Sequence, residues 1–108
     1  MTELDLEYQA QSLAGLVEYQ PGSVVSRTLL NKSTGSITLF AFDKDQNLSE
    51  HTAPYDALVY AVDGDLEVTI AGDRRKVSRG DVLLMPANKP HAVYANSQSK
   101  MLLIMVRD

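Results

Sequence analysis

Two side chains stand out as able to do chemistry: His51 and His91, the only histidines among 108 residues. An unperturbed imidazole titrates near ~6.5, so near neutral pH it can accept a hydrogen bond, ligate a metal or carry a proton. Other chemistries lack their residues. There is no cysteine, which excludes a thiolate ligand, a thiol nucleophile and disulfides. Ser12, Ser23, Ser26 and Ser78 have neither a neighbouring histidine nor an elbow motif, so no nucleophilic triad is expected. No glycine-rich turn opens a helix to cradle phosphate. Asp63-Gly64-Asp65 reads as turn chemistry rather than a calcium loop, and Met85, Met101 and Met105 as core filler.

The elements around the two histidines read as strands. From Val24 onward, short β-branched and apolar segments alternate with turn residues at intervals of roughly 8–12 residues. Val24 to Leu30, Ser36 to Phe42, Leu48 to Ala53, Tyr55 to Val62, Asp65 to Ile70, Asp81 to Met85, His91 to Ala95 and Met101 to Arg107 carry the pattern. Asp65 to Ile70 alternates cleanly, with Leu66, Val68 and Ile70 on one face. Asp63-Gly64 is a tight-hairpin dipeptide, Gly72-Asp73 and Gly80-Asp81 turn the chain again, and Pro54 interrupts any ladder it enters. Before Val24, only Leu13, Leu16 and Val17 sit at helical spacing, which predicts one short helix or turn. The expected organisation is residues 1–23 as an extension packing on a barrel formed by residues 24–108.

The neighbourhoods of the histidines carry a further signal. His51 precedes Ala53, Ala57 and Gly64, while Gly80, Pro86 and His91 follow one another at fixed offsets. In these spacings the sequence resembles the cupin superfamily, whose motifs run G-x5-H-x-H-x(3,4)-E-x6-G and G-x5-P-x-G-x2-H-x3-N. The resemblance spans roughly residues 35 to 107. It implies an all-β double-stranded β-helix, or jelly-roll barrel. It also implies four metal-ligand positions, which here are His51, Ala53, Ala57 and His91. Half of that ligand set is missing; Asn88 and Ala95 replace the glycine and the asparagine of the second motif.

In a closed small barrel one face of each strand points inward. The resemblance therefore places His51, Ala53, Tyr55, Ala57, Val59, His91, Val93 and Ala95 at the mouth. Such a lining, apolar with two polar anchors, suits a small organic ligand. His51, Tyr55, His91, Ala53, Ala57, Val59 and Val93 are the expected ligand contacts. The expectation is a small cupin-like binding protein without a defined catalytic activity. The alternative is a metal-dependent enzyme, a dioxygenase or isomerase, with a reduced ligand set. A transition metal generally wants three or more protein ligands. His51 and His91 could hold a divalent one only weakly, with water or an exogenous molecule completing its shell, and no cofactor is certain.

Ten basic residues face fourteen acidic ones, a net charge of −4, and Arg74-Arg75-Lys76 is the only basic cluster. Counterion release needs several cations on one face, so nucleic acid is not an expected partner, and the triplet reads as a solvated hairpin edge. No apolar run reaches the roughly 20 residues of a membrane span. An acidic start and the lack of cysteine predict a cytoplasmic protein. Ile37 to Phe42 is apolar at both parities, as is Met101 to Val106. A strand covered on both faces inside a one-layer wall needs a second covering, and the expected one is another subunit, giving a homodimer.

Overall fold

The computed structural model describes Leu6, Glu7 and residues 9–107; the expected extension before Leu6, together with Tyr8, lies outside the described residues. Among the described residues, nine strands follow one 3-10 turn, Ala14–Leu16. They are β1 (Val24–Lys32), β2 (Gly35–Phe42), β3 (Asn47–His51), β4 (Asp56–Asp63), β5 (Asp65–Ile70), β6 (Asp73–Ser78), β7 (Val82–Met85), β8 (His91–Ala95) and β9 (Ser99–Val106). They form two antiparallel sheets, ordered β1-β2-β9-β4-β7 and β3-β8-β5-β6. The chain crosses between sheets after β2, β3, β4, β6, β7 and β8, the path of a jelly roll. The cationic triplet forms a strand, β6, which is an edge of the smaller sheet. No helix is long and apolar enough to cross a membrane among the described residues.

Between the sheets, alternation decides what is buried. Ala57, Val59 and Ala61 of β4, Leu66 and Val68 of β5, and Val93 and Ala95 of β8 pack with Phe42, Val77, Met85 and Met101 into one core. Gly64 makes the crossing from β4 to β5 possible. Its φ of 78° is unfavourable for an L side chain, and a Cβ there would run into the backbone of Gln98 and Ser99. The buried Ser99 hydroxyl accepts from the Asp65 N–H at 3.0 Å and has the Ser97 carbonyl at 2.8 Å to donate to, so it is not stranded at that corner.

The larger sheet has a second core on its outer face. Leu16 and Val17 pack on Leu39 and Ala41, which are both 0% exposed, with Leu13, Tyr19, Val25 and Leu102 around them. Polar tethers hold this strap. Lys100 Nζ donates to the Ala14 carbonyl at 2.6 Å, and Arg27 to the Leu16 carbonyl at 2.9 Å. The Tyr19 hydroxyl donates to Asp63 at 2.6 Å. Burial and that bond push the Tyr19 hydroxyl's pKa well above its ordinary value. Part of the apolar outer face of the larger sheet is therefore covered from within the chain. The rest stays bare: Leu30 of β1, Val82 and Leu84 of β7 and Val106 of β9 are 49–59% exposed.

Candidate functional site

His51 and His91 are register partners across the β3–β8 pair. Simple alternation would not bring them together. Leu48 pairs with Val93, and His51 with His91, so three steps along β3 match two along β8. The extra residue is a bulge, and it shifts the side-chain parity of β3. Leu48 and His51 consequently face the same side, where strict alternation would oppose them. The bulge also supplies an acceptor, because His51 Nδ1 lies 2.9 Å from the Ser49 carbonyl.

The rings meet edge to face, with centroids 4.3 Å apart and an interplanar angle of 75°. Their Nε2 atoms are 3.1 Å apart. His91 Nδ1 lies 3.2 Å from the Lys89 carbonyl. A carbonyl only accepts, so each Nδ1 is satisfied as N–H, which leaves the lone pair of a neutral ring on Nε2. Two lone pairs at 3.1 Å repel unless a proton lies between them or a donor caps both from the side. The pair is an acceptor fork lacking one donor, and it can take a donor, a cation or a proton. His91 is 5% exposed while His51 is open to solvent. Burial, reinforced by the charge of His51, lowers the pKa of His91; the Lys89 carbonyl opposes this in part.

The loop of residues 86–90 closes one side of the mouth, and it is tied to the other motif. Ala87 N–H donates to Asp56 Oδ1 at 2.8 Å and Asn88 N–H to the Ala53 carbonyl at 2.8 Å. Asn88 adopts φ 65°, the left-handed conformation that asparagine tolerates, which explains why it stands where the motif has glycine.

The other expected contacts separate by depth. Ala53 and Tyr55 are half-buried in the link between β3 and β4, and Tyr55 carries the Arg107 guanidinium 5.2 Å above its ring. Ala57, Val59, Val93 and Ala95 lie deeper, in the packed core. As a metal centre the donor set falls short. Among the described residues no group of three or more histidine, cysteine, aspartate or glutamate side chains could hold an ion. Two imidazoles beside two alanines do not fit a resident transition metal.

A family model for the cupin domain matches residues 38–107. This chain is a cupin. Solved structures agree with that assignment. A conserved protein of unknown function from Streptococcus pyogenes is 35% identical over 94% of this chain and 89% of its own, with a TM-score of 0.90. A cupin superfamily protein from Desulfitobacterium hafniense is 30% identical, with 94% and 93% covered and a TM-score of 0.89. A Cupin 2 conserved barrel domain protein from Leptotrichia buccalis is 42% identical over 88% of this chain and 46% of its own, at a TM-score of 0.86. Comparison with curated proteins returned no match.

The cupin's mouth also holds residues that the sequence did not single out. Register across the smaller sheet runs His51, His91, Ile70, Asp73. Beyond Ile70 a groove of about 300 Å³ lies between the edge strands β6 and β7, lined by Ile70, Leu83, Pro86, Arg75 and Lys89 among others. The available signal was the run of three cations on a strand whose neighbour alternates cleanly, because alternation alone puts Arg75 at the parity of Val68.

Proposed function

We propose that this cupin binds a small organic molecule at the barrel mouth, through the acceptor fork of His51 and His91, rather than acting through a resident metal. One observation carries the reading: two Nε2 atoms converge to 3.1 Å in a mouth where Ala53 and Ala57 occupy the remaining ligand positions. A polar fork on apolar walls orients a ligand by one hydrogen bond and holds it by area. With only two histidines, the imidazole carbon-proton NMR spectrum contains two sites to watch. A panel of small hydroxylated organic molecules should include members that shift both together. A panel that moves neither ring refutes the reading.

A second reading, a metal-dependent dioxygenase or isomerase with a reduced ligand set, draws on the same convergence, because a cation also suits two facing lone pairs. Metal content of protein purified without added metal or a metal-affinity tag separates the two. Substoichiometric metal supports the binding module, and tight stoichiometric metal supports the enzyme.

The working unit is proposed to be a homodimer, formed through the bare part of the larger sheet. Ile37, Leu58 and Ile104 continue the exposed row of Leu30, Val82, Leu84 and Val106, and its charges, Asp56 beside Val106 and Lys32 two residues beyond Leu30, are one of each sign. A mostly apolar face of this kind can meet its own copy across a two-fold axis. Light scattering should give about twice the 11.9 kDa chain mass, and Leu84→Glu should return it to one.

A further inference from the structure

The charges around the mouth are unevenly placed, and their placement says what kind of molecule fits. The chain as a whole is acidic, at −4, yet the far side of the mouth is cationic. Arg75 meets only Asp73, loosely, at 4.0 Å, while Arg74 is occupied by Glu67 at 3.5 Å on the outer face. Lys89 has no ion pair or side-chain hydrogen bond among the described residues, and its loop is anchored through Ala87 and Asn88. Between these cations and the histidines lies an apolar floor of Ile70, Leu83 and Pro86. Ile70 and Leu83 are partly buried and pack against the main core, which supports the floor from below.

The spacing follows from the sheet. His91 pairs with Ile70 and Ile70 with Asp73, two strand steps of about 5 Å each, so the backbone that carries His91 and the β6 backbone that carries Arg75 are separated by about 10 Å, with Lys89 reaching into the groove from the loop before His91. The fork, satisfied at both Nδ1 atoms, asks for a donor. The rim asks for an anion. A single molecule answering both has a hydroxyl at one end, an apolar middle and a carboxylate at the other.

We propose that the mouth takes an organic hydroxy-carboxylate: its carboxylate between Arg75 and Lys89, its apolar body on Ile70, Leu83 and Pro86, and its hydroxyl capping the two Nε2 atoms from the open side and donating to them. This rests on the binding reading above and names the ligand class for it. The charged side chains at the inward parity of β6 otherwise serve only to guard a sheet edge, which is the competing account.

Calorimetry with three probes separates the accounts: 3-(4-hydroxyphenyl)propionate, its primary amide, and 3-phenylpropionate. The hydroxy acid should bind, and both analogues should bind at least tenfold more weakly. Arg75→Gln with Lys89→Gln should erase the preference for acid over amide while leaving the hydroxyl preference intact. His51→Ala should do the reverse. Both cations are exposed, so neither change threatens the fold. Equal binding of acid and amide, or an unchanged acid preference in the double variant, overturns the carboxylate assignment. Failure of all three probes overturns the class as well. The binding reading itself falls only if the hydroxylated panel also leaves both imidazoles unmoved.

Discussion

The inside of this barrel has two levels built on opposite principles. On the floor, Phe42, Val59, Leu66, Val68 and Ala95 are 0% exposed, all apolar and all drawn from alternating strand positions. At the mouth, one strand step or two away, sit paired imidazoles, a half-buried tyrosine, two solvent-facing cations and small alanines. The floor follows the strand period and nothing else. The mouth breaks it, through a bulge in β3, a left-handed Asn88 and a proline-flanked link. A jelly roll can thus fix its fold at one level and vary its chemistry at the other. That is why membership of the cupin family does not by itself name an activity.

The largest effect should come from the floor. Leu66→Ala removes a fully buried side chain amid close-packed neighbours and should lower the unfolding free energy by about 3 kcal/mol. At this chain length that corresponds to a fall of roughly 15 °C in Tm. His51→Ala, at the exposed rim, should stay within about 0.5 kcal/mol by urea denaturation. A comparable loss from both changes would mean that the mouth is part of the structural core, and the division into levels would not hold.

A second change asks the mouth to become what the family pattern describes. Ala53→His with Ala57→Glu restores the two missing ligand positions. Ala57 is 5% exposed, so an ionised carboxylate there lacks both water and a partner, and the metal-free variant should lose about 2 kcal/mol. Zinc should restore that loss and bind more than an order of magnitude more tightly than to the parent, because ligand number had been limiting. A folded double variant that binds no more zinc than the parent would show that the four positions do not converge.

These levels were unequally legible in the sequence. Turn dipeptides and the alternation of Asp65 to Ile70 suffice for the barrel floor, since burial there is decided by a period of two. The spacing from His51 to Gly64 and from Gly80 to His91 identified both motif strands. The bulge at Ser49 and Glu50 was not legible, because an extra residue in a short polar strand leaves no mark on the pattern. Yet it is what aims His51 at His91. The covering of Leu39 and Ala41 was legible as a need and was assigned to another subunit: apolar residues at both parities demand two layers, and Leu13 to Tyr19, in the segment expected to pack on the barrel, supply part of the second. Arg75 and Lys89 read as ordinary surface charge until the fold set them on one groove, Arg75 by its register and Lys89 by its loop.

The smallest effect separates the two histidines themselves. The pKa of His91 is held below its ordinary value in the folded protein, by burial first and then by the charge of His51. Once unfolded, the same imidazole takes up its proton as pH falls through ~6.5. In the window below that value the unfolded chain therefore binds more protons than the folded one, and stability must fall as pH falls. Stability is complete above ~6.5, declines toward the folded-state pKa of His91, and levels off beneath it. One proton sets a ceiling of about 1.4 kcal/mol per pH unit on the slope. Carboxylates add their own losses lower down. Asp43, for instance, is held below the usual carboxylate range by the Gly22 N–H and by Gln98, and does not enter this window. Urea midpoints between pH 8 and pH 5 should show the decline in the parent, a flatter line in His91→Gln, and an intermediate one in His51→Gln, where burial persists but the neighbouring charge is gone. A slope unchanged in His91→Gln would assign the decline to other groups. It would also mean that the folded mouth admits a proton as easily as water does, so that the buried ring of the fork is not buried in solution.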